Sequence, residues 1–390
     1  MFITSDERKS DFIGKLALLG QGGSGKTFMI NTIANYLAER QIYNWDEESN
    51  MAGTIAVTPY ILDFPDKRRV IINDNPGQDS LEFIRKIIAS QGDVYQGLIV
   101  VVDAIGWNFR NVGILQAKSL VEFNKNLNLL PLSIIISKRD LLDHLLKSNK
   151  IPVLATVMAN AIKNLGSDLE VSYQSRMYKK NLSKQITLEN PSLIPLTAME
   201  QVLTNAMDEY LKKDPITDFT KMNVRLFVRS FLLGYCEAMR TMLDLSKYPF
   251  FASISDPSLV NRLNYHRPTA YETGSGWEKL GKSSQTDNKV LAEPYVLRQT
   301  FDSKTIETII TNYVFASEHK IKEFLEQIES IGKEKWQIVS SCFTSSIERK
   351  GKEQIKETLI KLLDVVSEQK SKRPKTIKED SISDFGLDEF

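Results

Sequence analysis

The fold is decided by the stretch Gly20-Gln21-Gly22-Gly23-Ser24-Gly25-Lys26-Thr27. It matches the phosphate-loop pattern GxxxxGK[ST] at every fixed position, and the apolar run before it, residues 12–19, is typical of a strand. Glycines let the backbone wrap tightly around a polyphosphate, so that consecutive N–H groups point inward. The helix that follows directs the positive end of its dipole at the same charges. The sequence therefore predicts a phosphate-binding loop between a strand and a helix.

Each polar position of this loop has a chemical role in the prediction. Lys26 is expected to reach the β and γ phosphates, and Thr27 to offer its hydroxyl to a magnesium ion. The remaining phosphate contacts come from the loop itself, through Gly20, Gly22, Gly23, Ser24 and Gly25.

Composition limits the classes of protein to consider. The 390 residues are 42% hydrophobic with a formal net charge of +1, which indicates a globular chain of two domains, or one domain and a large appendage. No global charge favours nucleic acid or an anionic membrane. The two cysteines, Cys236 and Cys342, lie in apolar patterns typical of helices, so we expect buried thiols in a reducing compartment. No signal peptide, membrane span or lipidation pattern is evident, so we expect a cytoplasmic protein that visits membranes only through a partner.

Strands and helices alternate after the loop. Residues 55–62 and 70–72 have the pattern of a β-hairpin, whereas residues 98–102 and 132–136 are uncharged apolar runs typical of buried parallel strands. This alternation predicts a doubly wound α/β domain with a mostly parallel sheet, whose ligand binds at the carboxyl ends of the strands.

Four further segments resemble motifs of the Ras-like superfamily of small GTP-binding proteins, over residues 12–213. Asp74-Asn75-Pro76-Gly77 is similar to the family's DxxG, which implies that Asp74 holds magnesium through water and that the Gly77 N–H bonds the γ-phosphate. Gln78 takes the place of the glutamine that orients the attacking water. Thr54 resembles the switch threonine that closes onto magnesium, with Thr58 as the alternative.

The other two segments concern the base. Ser137-Lys138-Arg139-Asp140 resembles NKxD, which implies that Asp140 accepts bonds from guanine and that the stem of Lys138 lies against the purine. Thr197-Ala198, after a short strand at 193–196, is similar to the family's turn that contacts guanine O6. The pairs Val102-Asp103 and Gln78-Asp79 are closer to Arf-type and prokaryotic polarity GTPases than to Ras.

Two departures from the family stand out. Ser137 replaces the family's asparagine, and the spacing from Asp140 to Thr197 is longer than usual. We place an insertion at about 149–191, with a helix at 153–165 and a polar piece at 172–184 that is either a surface loop or a partner site.

The C-terminal half resembles no family known to us. A break at 213–215 ends the GTPase domain (12–213), which follows a short N-terminal segment (1–11). Helical patterns at 219–245, 306–331 and 347–366 predict an all-α region over 214–369, in which the apolar stripes form either a core or an interaction face. A long loop at 265–288 and a disordered tail at 370–390 complete the prediction.

Together these features favour a molecular switch that binds GTP or GDP with Mg²⁺ and hydrolyses GTP slowly, using Gln78, Lys26 and Thr54. No arginine is placed by a motif as a finger, so an activating partner or oligomer is expected, together with protein effectors and exchange factors. Two alternatives stay open. One is a scaffold stabilised by GTP without meaningful turnover, and the other is an ATP-using phosphotransferase, which Asp140 disfavours.

Overall fold

A computed structural model of the chain describes residues 11–36, 40–41, 57–64, 66–75, 95–123, 129–165, 170–177, 180–187, 193–214, 221–242, 295–297, 301–332, 335–345 and 349–372. Its strands, in chain order, are β1 (Asp11–Gly20), β2 (Arg40–Gln41), β3 (Thr58–Asp63), β4 (Arg68–Asp74), β5 (Gly97–Asp103), β6 (Leu130–Ser137), β7 (Glu170–Met177), β8 (Lys180–Thr187), β9 (Leu193–Pro195), β10 (Tyr295–Leu297) and β11 (Trp336–Phe343).

Its helices, in chain order, are α1 (Lys26–Tyr36), α2 (Asn111–Phe123), α3 (Arg139–Lys147), α4 (Lys150–Asn164), α5 (Leu196–Lys213), α6 (Lys221–Met242), α7 (Ser303–Ile309), α8 (Glu318–Gly332) and α9 (Arg349–Ser371). A 3₁₀ turn occupies Trp107–Phe109, and a π-helical turn, Ile310–Val314, continues α7. None of the described helices is both long and apolar enough to cross a membrane.

The main sheet has the strand order β11-β6-β5-β1-β4-β3-β2 within the described residues. β1 pairs in parallel with β4 and β5, and β6 pairs in parallel with β5 and β11, whereas β3 runs antiparallel to β4. Every residue of β5 and β6 is buried, which is what their uncharged apolar runs predict for central strands covered on both faces. The predicted α/β class with a mostly parallel sheet is therefore confirmed.

Helices cover both faces of the sheet. Because neighbouring side chains of a strand point to opposite faces, Leu16 and Leu18 of β1 join one apolar cluster, and Ala17 and Leu19 join the other. The first cluster packs under α1 and α9, and the second under α2 to α8.

The prediction of an all-α C-terminal region is wrong. Residues 336–343 form β11, which adds a parallel strand to the outer edge of β6, and α9 then packs across the sheet beside α1. The strand is half-buried and interrupted by serines, so its apolar pattern is weaker than those of the flanking helices. Cys342 correspondingly lies in a strand and not in a helix, and burial raises the pKa of its thiol to about 11.

The predicted insertion also differs from expectation. α4 is an integral part of the core, since Leu154, Ala155 and Met158 are fully buried. The polar piece that was expected to be a surface loop or partner site forms an antiparallel hairpin of β7 and β8. The short strand expected at 193–196 is β9, which pairs with β10 in a separate two-stranded sheet.

Candidate functional site

The candidate site lies at the carboxyl edge of the main sheet, where the segments after β1, β4, β5, β6 and β11 meet. The predicted loop, residues 20–27, joins β1 to α1. Gly20 and Gly25 both have positive φ angles, of 145° and 90°. A Cβ on Gly20 would come within 2.3 Å of the Val101 carbonyl oxygen, so a side chain at this position would collide with the backbone of β5. The loop therefore requires glycine for both conformation and space.

Lys26 points back over the loop that precedes it. Its buried ammonium donates to the carbonyl oxygens of Gly20, at 2.9 Å, and Gln21, at 3.2 Å. A cation held beside the loop in this way is placed to meet anionic oxygens bound by the same loop.

A hydrogen bond connects the start of the loop to α2, a helix that carries none of the predicted site residues. The Gly20 N–H donates to the side-chain oxygen of Gln116, 2.8 Å away, in the middle of α2. Gly113, one turn earlier, allows this approach, because a Cβ there would lie 2.6 Å from Val100 and 3.2 Å from the Gly20 Cα. The signal available in the sequence was a glutamine among the apolar positions Ile114, Ala117 and Leu120 of the same helix.

The predicted magnesium ligands of the described chain lie together. The Thr27 hydroxyl donates to Asp74 Oδ2 at 3.0 Å, and Asp74, the last residue of β4, is fully buried. Burial, followed by the negative charge of Asp74, raises the pKa of Tyr60 to about 12. A hydroxyl and a carboxylate are hard oxygen donors, so this pair fits Mg²⁺. Among the described residues, no group of three or more His, Cys, Asp or Glu side chains could hold a metal ion.

Ser137 and Lys138 connect the end of β6 to the phosphate loop. The buried Ser137 hydroxyl lies 2.6 Å from the Ser24 carbonyl oxygen and 3.2 Å from that of Val102. The Lys138 ammonium donates to the Gly23 carbonyl oxygen at 2.6 Å. Lys138 has a left-handed backbone, with φ 62° and ψ 31°, which turns the chain from β6 into α3.

Asp103 completes the support of Lys138 and was missed as a site residue. It ends β5, is 3% exposed, and its carboxylate accepts the N–H groups of Ile105, at 2.8 Å, and Gly106, at 3.2 Å. Its other oxygen pairs with the Lys138 ammonium. The signal in the sequence was an acid directly after an uncharged buried strand.

Asp140 lies in the first turn of α3 and is partly exposed. Within the part of the chain that the structure describes, its side chain makes no hydrogen bond or ion pair.

The structure puts β11, and not the short strand before Thr197 and Ala198, next to the base-reading segment. The Thr344 N–H donates to the Ile136 carbonyl oxygen at 2.8 Å, and the Arg139 N–H donates to the Thr344 carbonyl oxygen at 3.2 Å. The Arg139 guanidinium lies 4.6 Å from the Phe343 ring centre. Thr197 and Ala198 instead belong to the first turn of α5, which follows the separate β9. At the edge of the sheet beside the end of β6, the residues that follow β11 are Thr344 and Ser345.

The remaining predicted residues are only partly covered. Thr54, Gly77 and Gln78 lie outside the described residues. The alternative switch residue, Thr58, opens β3 and is paired in register with Asp74.

Comparison with known proteins adds little to this geometry. No protein-family model and no curated protein matches the sequence. Among solved structures, one match is to the "Crystal structure of bacterial selenocysteine-specific elongation factor EF-Sec", which is 25% identical over 36% of this chain. The match spans 23% of that protein's length, with a TM-score of 0.24. At that TM-score the similarity is too small to support an assignment of function.

Proposed function

We propose that the chain is a P-loop, guanine-nucleotide-binding protein of Ras-like type that cycles between GTP and GDP. One observation carries the proposal. Ser137 and Lys138, from the segment that resembles the base reader, bond directly to the Ser24 and Gly23 carbonyls of the phosphate loop. These hydrogen bonds connect the proposed phosphate site directly to the proposed base site. Two adjacent sites of this kind fit a single ligand that carries both a base and phosphates, which is a nucleotide.

The preference for guanine is proposed from Asp140. A carboxylate offers two acceptors in one plane, which match the N1–H and 2-amino groups of guanine, whereas adenine has no 2-amino group. Thr344 and Ser345, at the end of β11, take over the O6 contact that the sequence assigned to Thr197 and Ala198. Thr344 bonds the segment that resembles the base reader at two points, the Ile136 carbonyl oxygen and the Arg139 N–H.

Thr27 and Asp74 would hold the magnesium ion that accompanies the nucleotide. When bound, this ion would neutralise charge on the phosphates. Lys26, whose ammonium lies beside the Gly20 and Gln21 carbonyl oxygens, would bind the phosphate oxygens. The roles of Thr54 and Gln78, in closing the site and in orienting water, remain proposals taken from the resemblance.

We propose slow unaided hydrolysis, stimulated by a protein partner in the cytoplasm. None of the sequence motifs supplies an arginine finger. Such an arginine accelerates GTP hydrolysis by roughly 10³ to 10⁵. Single-turnover hydrolysis with and without cell extract separates a switch from a GTP-stabilised scaffold, because only a switch is accelerated by a regulator.

The guanine assignment is tested with Asp140→Asn. The amide has one acceptor and one donor, so it should weaken GTP and favour XTP, whose 2-oxo group accepts where guanine donates. We expect the wild type to prefer GTP over XTP and ATP by at least tenfold, and the variant to prefer XTP. Titration with all three nucleotides is the measurement, together with chromatography of any nucleotide that co-purifies.

The matched control is Asp143→Asn, on the same helix, where Asp143 faces Arg139 at 3.5 Å. It should bind like the wild type. If Asp140→Asn retains the preference for guanine, residues 137–140 do not read the base.

A further inference from the structure

The ammonium of Lys138 is held from three directions. It bonds the Gly23 carbonyl oxygen of the phosphate loop, at 2.6 Å, the Asp103 carboxylate at the end of β5, and Asn223 Oδ1, at 2.7 Å. A lysine ammonium has three N–H donors and no acceptor, so these three groups use all of its hydrogens. Asn223 is the unexpected member, because it lies in the first turn of α6, far from every motif of the site in sequence.

α6 belongs to a set of helices that we call the helical region, α5 to α8, which is placed in sequence between the neighbouring strands β6 and β11. This region also packs on the loop that continues from Asp103. Asn108 donates to the Ser230 carbonyl oxygen at 2.9 Å. The Ala316 N–H donates to the Ala104 carbonyl oxygen at 2.8 Å.

The packing at this contact is close. A Cβ on Gly106 would lie 2.8 Å from the Leu226 side chain, and the Gly106 N–H is one of the two that bond Asp103. The position of the helical region therefore affects Lys138 by two routes, directly through Asn223 and indirectly through the loop that holds Asp103.

We propose that Asn223 is a positioning residue through which the helical region controls nucleotide release. The inference rests on the proposed function, in which Lys138 lies against the base and braces the phosphate loop. With Asn223 in place, each of the three N–H groups of the Lys138 ammonium has an acceptor. When Asn223 is removed, or drawn away by a movement of α6, one N–H of a side chain that is only 16% exposed loses its acceptor. Lys138 then holds both base and loop less firmly.

The test is the release rate of a fluorescent GDP, N-methylanthraniloyl-GDP, from the full chain, measured by displacement with excess GDP. We expect Asn223→Ala to release it about three- to tenfold faster, because a bond to a charged donor is lost and water recovers part of it. Asn223→Asp keeps an acceptor for Lys138, so release should stay within about twofold of the wild type or become slower. Arg225→Ala, at an exposed position on the same helix, is the matched control and should not change release.

A double-mutant cycle with Lys138→Met separates positioning from general destabilisation. If Asn223 acts through Lys138, Asn223→Ala adds no further acceleration once Lys138 is replaced. An equal acceleration in both backgrounds, or wild-type release by Asn223→Ala, would overturn the inference. Should Asn223→Ala fail to fold, faster release from Asn223→Asp would also overturn it.

Failure of the proposed function is recognised separately. A wild-type chain that binds no fluorescent GDP refutes both proposals. A wild type that binds it, with Asn223→Ala unchanged, refutes only the role of Asn223.

Discussion

At the scale of single residues, Ser137 shows how one hydroxyl can support a binding loop. Its Oγ lies near two carbonyl oxygens but has only one proton to donate, so the shorter contact, with Ser24 at 2.6 Å, receives it. The family's asparagine carries an amide at this position. Serine supplies the brace to the loop and offers no second group for the base.

Replacing Ser137 by alanine should leave the buried Ser24 carbonyl oxygen without this donor. The loss should weaken the free energy of nucleotide binding by roughly 1 to 3 kcal/mol. We expect weaker binding of GDP and GTP by about fivefold or more, measured by calorimetric titration. Ser133→Ala is the matched control, because Ser133 is also a buried serine of β6, bonded to Ser340 at 2.7 Å but remote from the loop. It should lower the melting temperature and leave nucleotide affinity unchanged. Equal affinities for the two variants would contradict the role of Ser137.

Lys26→Ala removes the cation nearest the proposed phosphates. Charge-assisted contacts contribute roughly 1.5 to 3 kcal/mol, so the affinity for GTP should fall at least tenfold. The same variant also frees the Gly20 and Gln21 carbonyls, so its thermal stability without nucleotide must be measured beside its affinity. Lys147→Ala, at an exposed position of α3, is the control for loss of charge. An unchanged dissociation constant for Lys26→Ala would show that the loop does not bind phosphate.

At the scale of elements, the first turn of α9 packs closely against the two residues that follow β11. The Thr344 hydroxyl donates to the Gly351 carbonyl oxygen at 2.8 Å, and a Cβ on Gly351 would lie 1.6 Å from the Ser345 carbonyl oxygen. Glycine is therefore required where α9 passes the residues proposed to contact guanine O6.

Gly351→Ala should force the Thr344–Ser345 backbone to move. We expect a loss of about 1 to 3 kcal/mol in the free energy of unfolding and a preference for guanine over adenine nucleotides that falls several-fold. Denaturant unfolding and competition between GDP and ADP measure the two effects. Lys361→Ala, exposed on the same helix, should change neither. An unaltered nucleotide preference would remove Thr344 and Ser345 from the base site.

The elements that the sequence predicted well are those with strong local patterns. For the loop of 20–27 and for the uncharged strands β5 and β6, a short contiguous stretch of sequence is enough to predict the structure. β11 could not be recognised in the same way, because Trp336–Phe343 contains one half-buried and one exposed serine and lies between two long amphipathic helices. Its partner is far away in sequence, and pairing over such distances leaves no local pattern. The contacts of Gln116 and Asn223 are equally non-local.

At the scale of the whole molecule, the helical region is held together by a buried ion pair. Arg229 of α6 and Glu200 of α5 are 6% and 8% exposed, and their charged groups lie 2.7 Å apart. Each charge is tolerated in the interior only because the other is present.

Arg229→Ala should destabilise the chain by about 3 to 5 kcal/mol, since it leaves the carboxylate of Glu200 buried and unpaired. The double variant Arg229→Met with Glu200→Leu should recover most of that loss. Lys322→Ala, which removes an exposed pair with Glu326 at 3.9 Å, is the control and should cost under about 1 kcal/mol. Chemical denaturation gives all three values, and a double variant no more stable than Arg229→Ala would contradict the explanation.

The place of β11 in the sheet also has a consequence for how the chain is made. β6 ends at Ser137, and the strand that covers its outer edge begins at Trp336. Synthesis proceeds from the N-terminus, so the nascent chain carries an apolar strand with an unpaired edge while everything between is translated. An unpaired strand edge can pair with strands of other chains and so cause aggregation. Contacts between residues so distant in sequence also form slowly. We therefore expect the ribosome-bound chain to need a chaperone until β11 emerges, and the part of the proposed nucleotide site beside β11 to fold late.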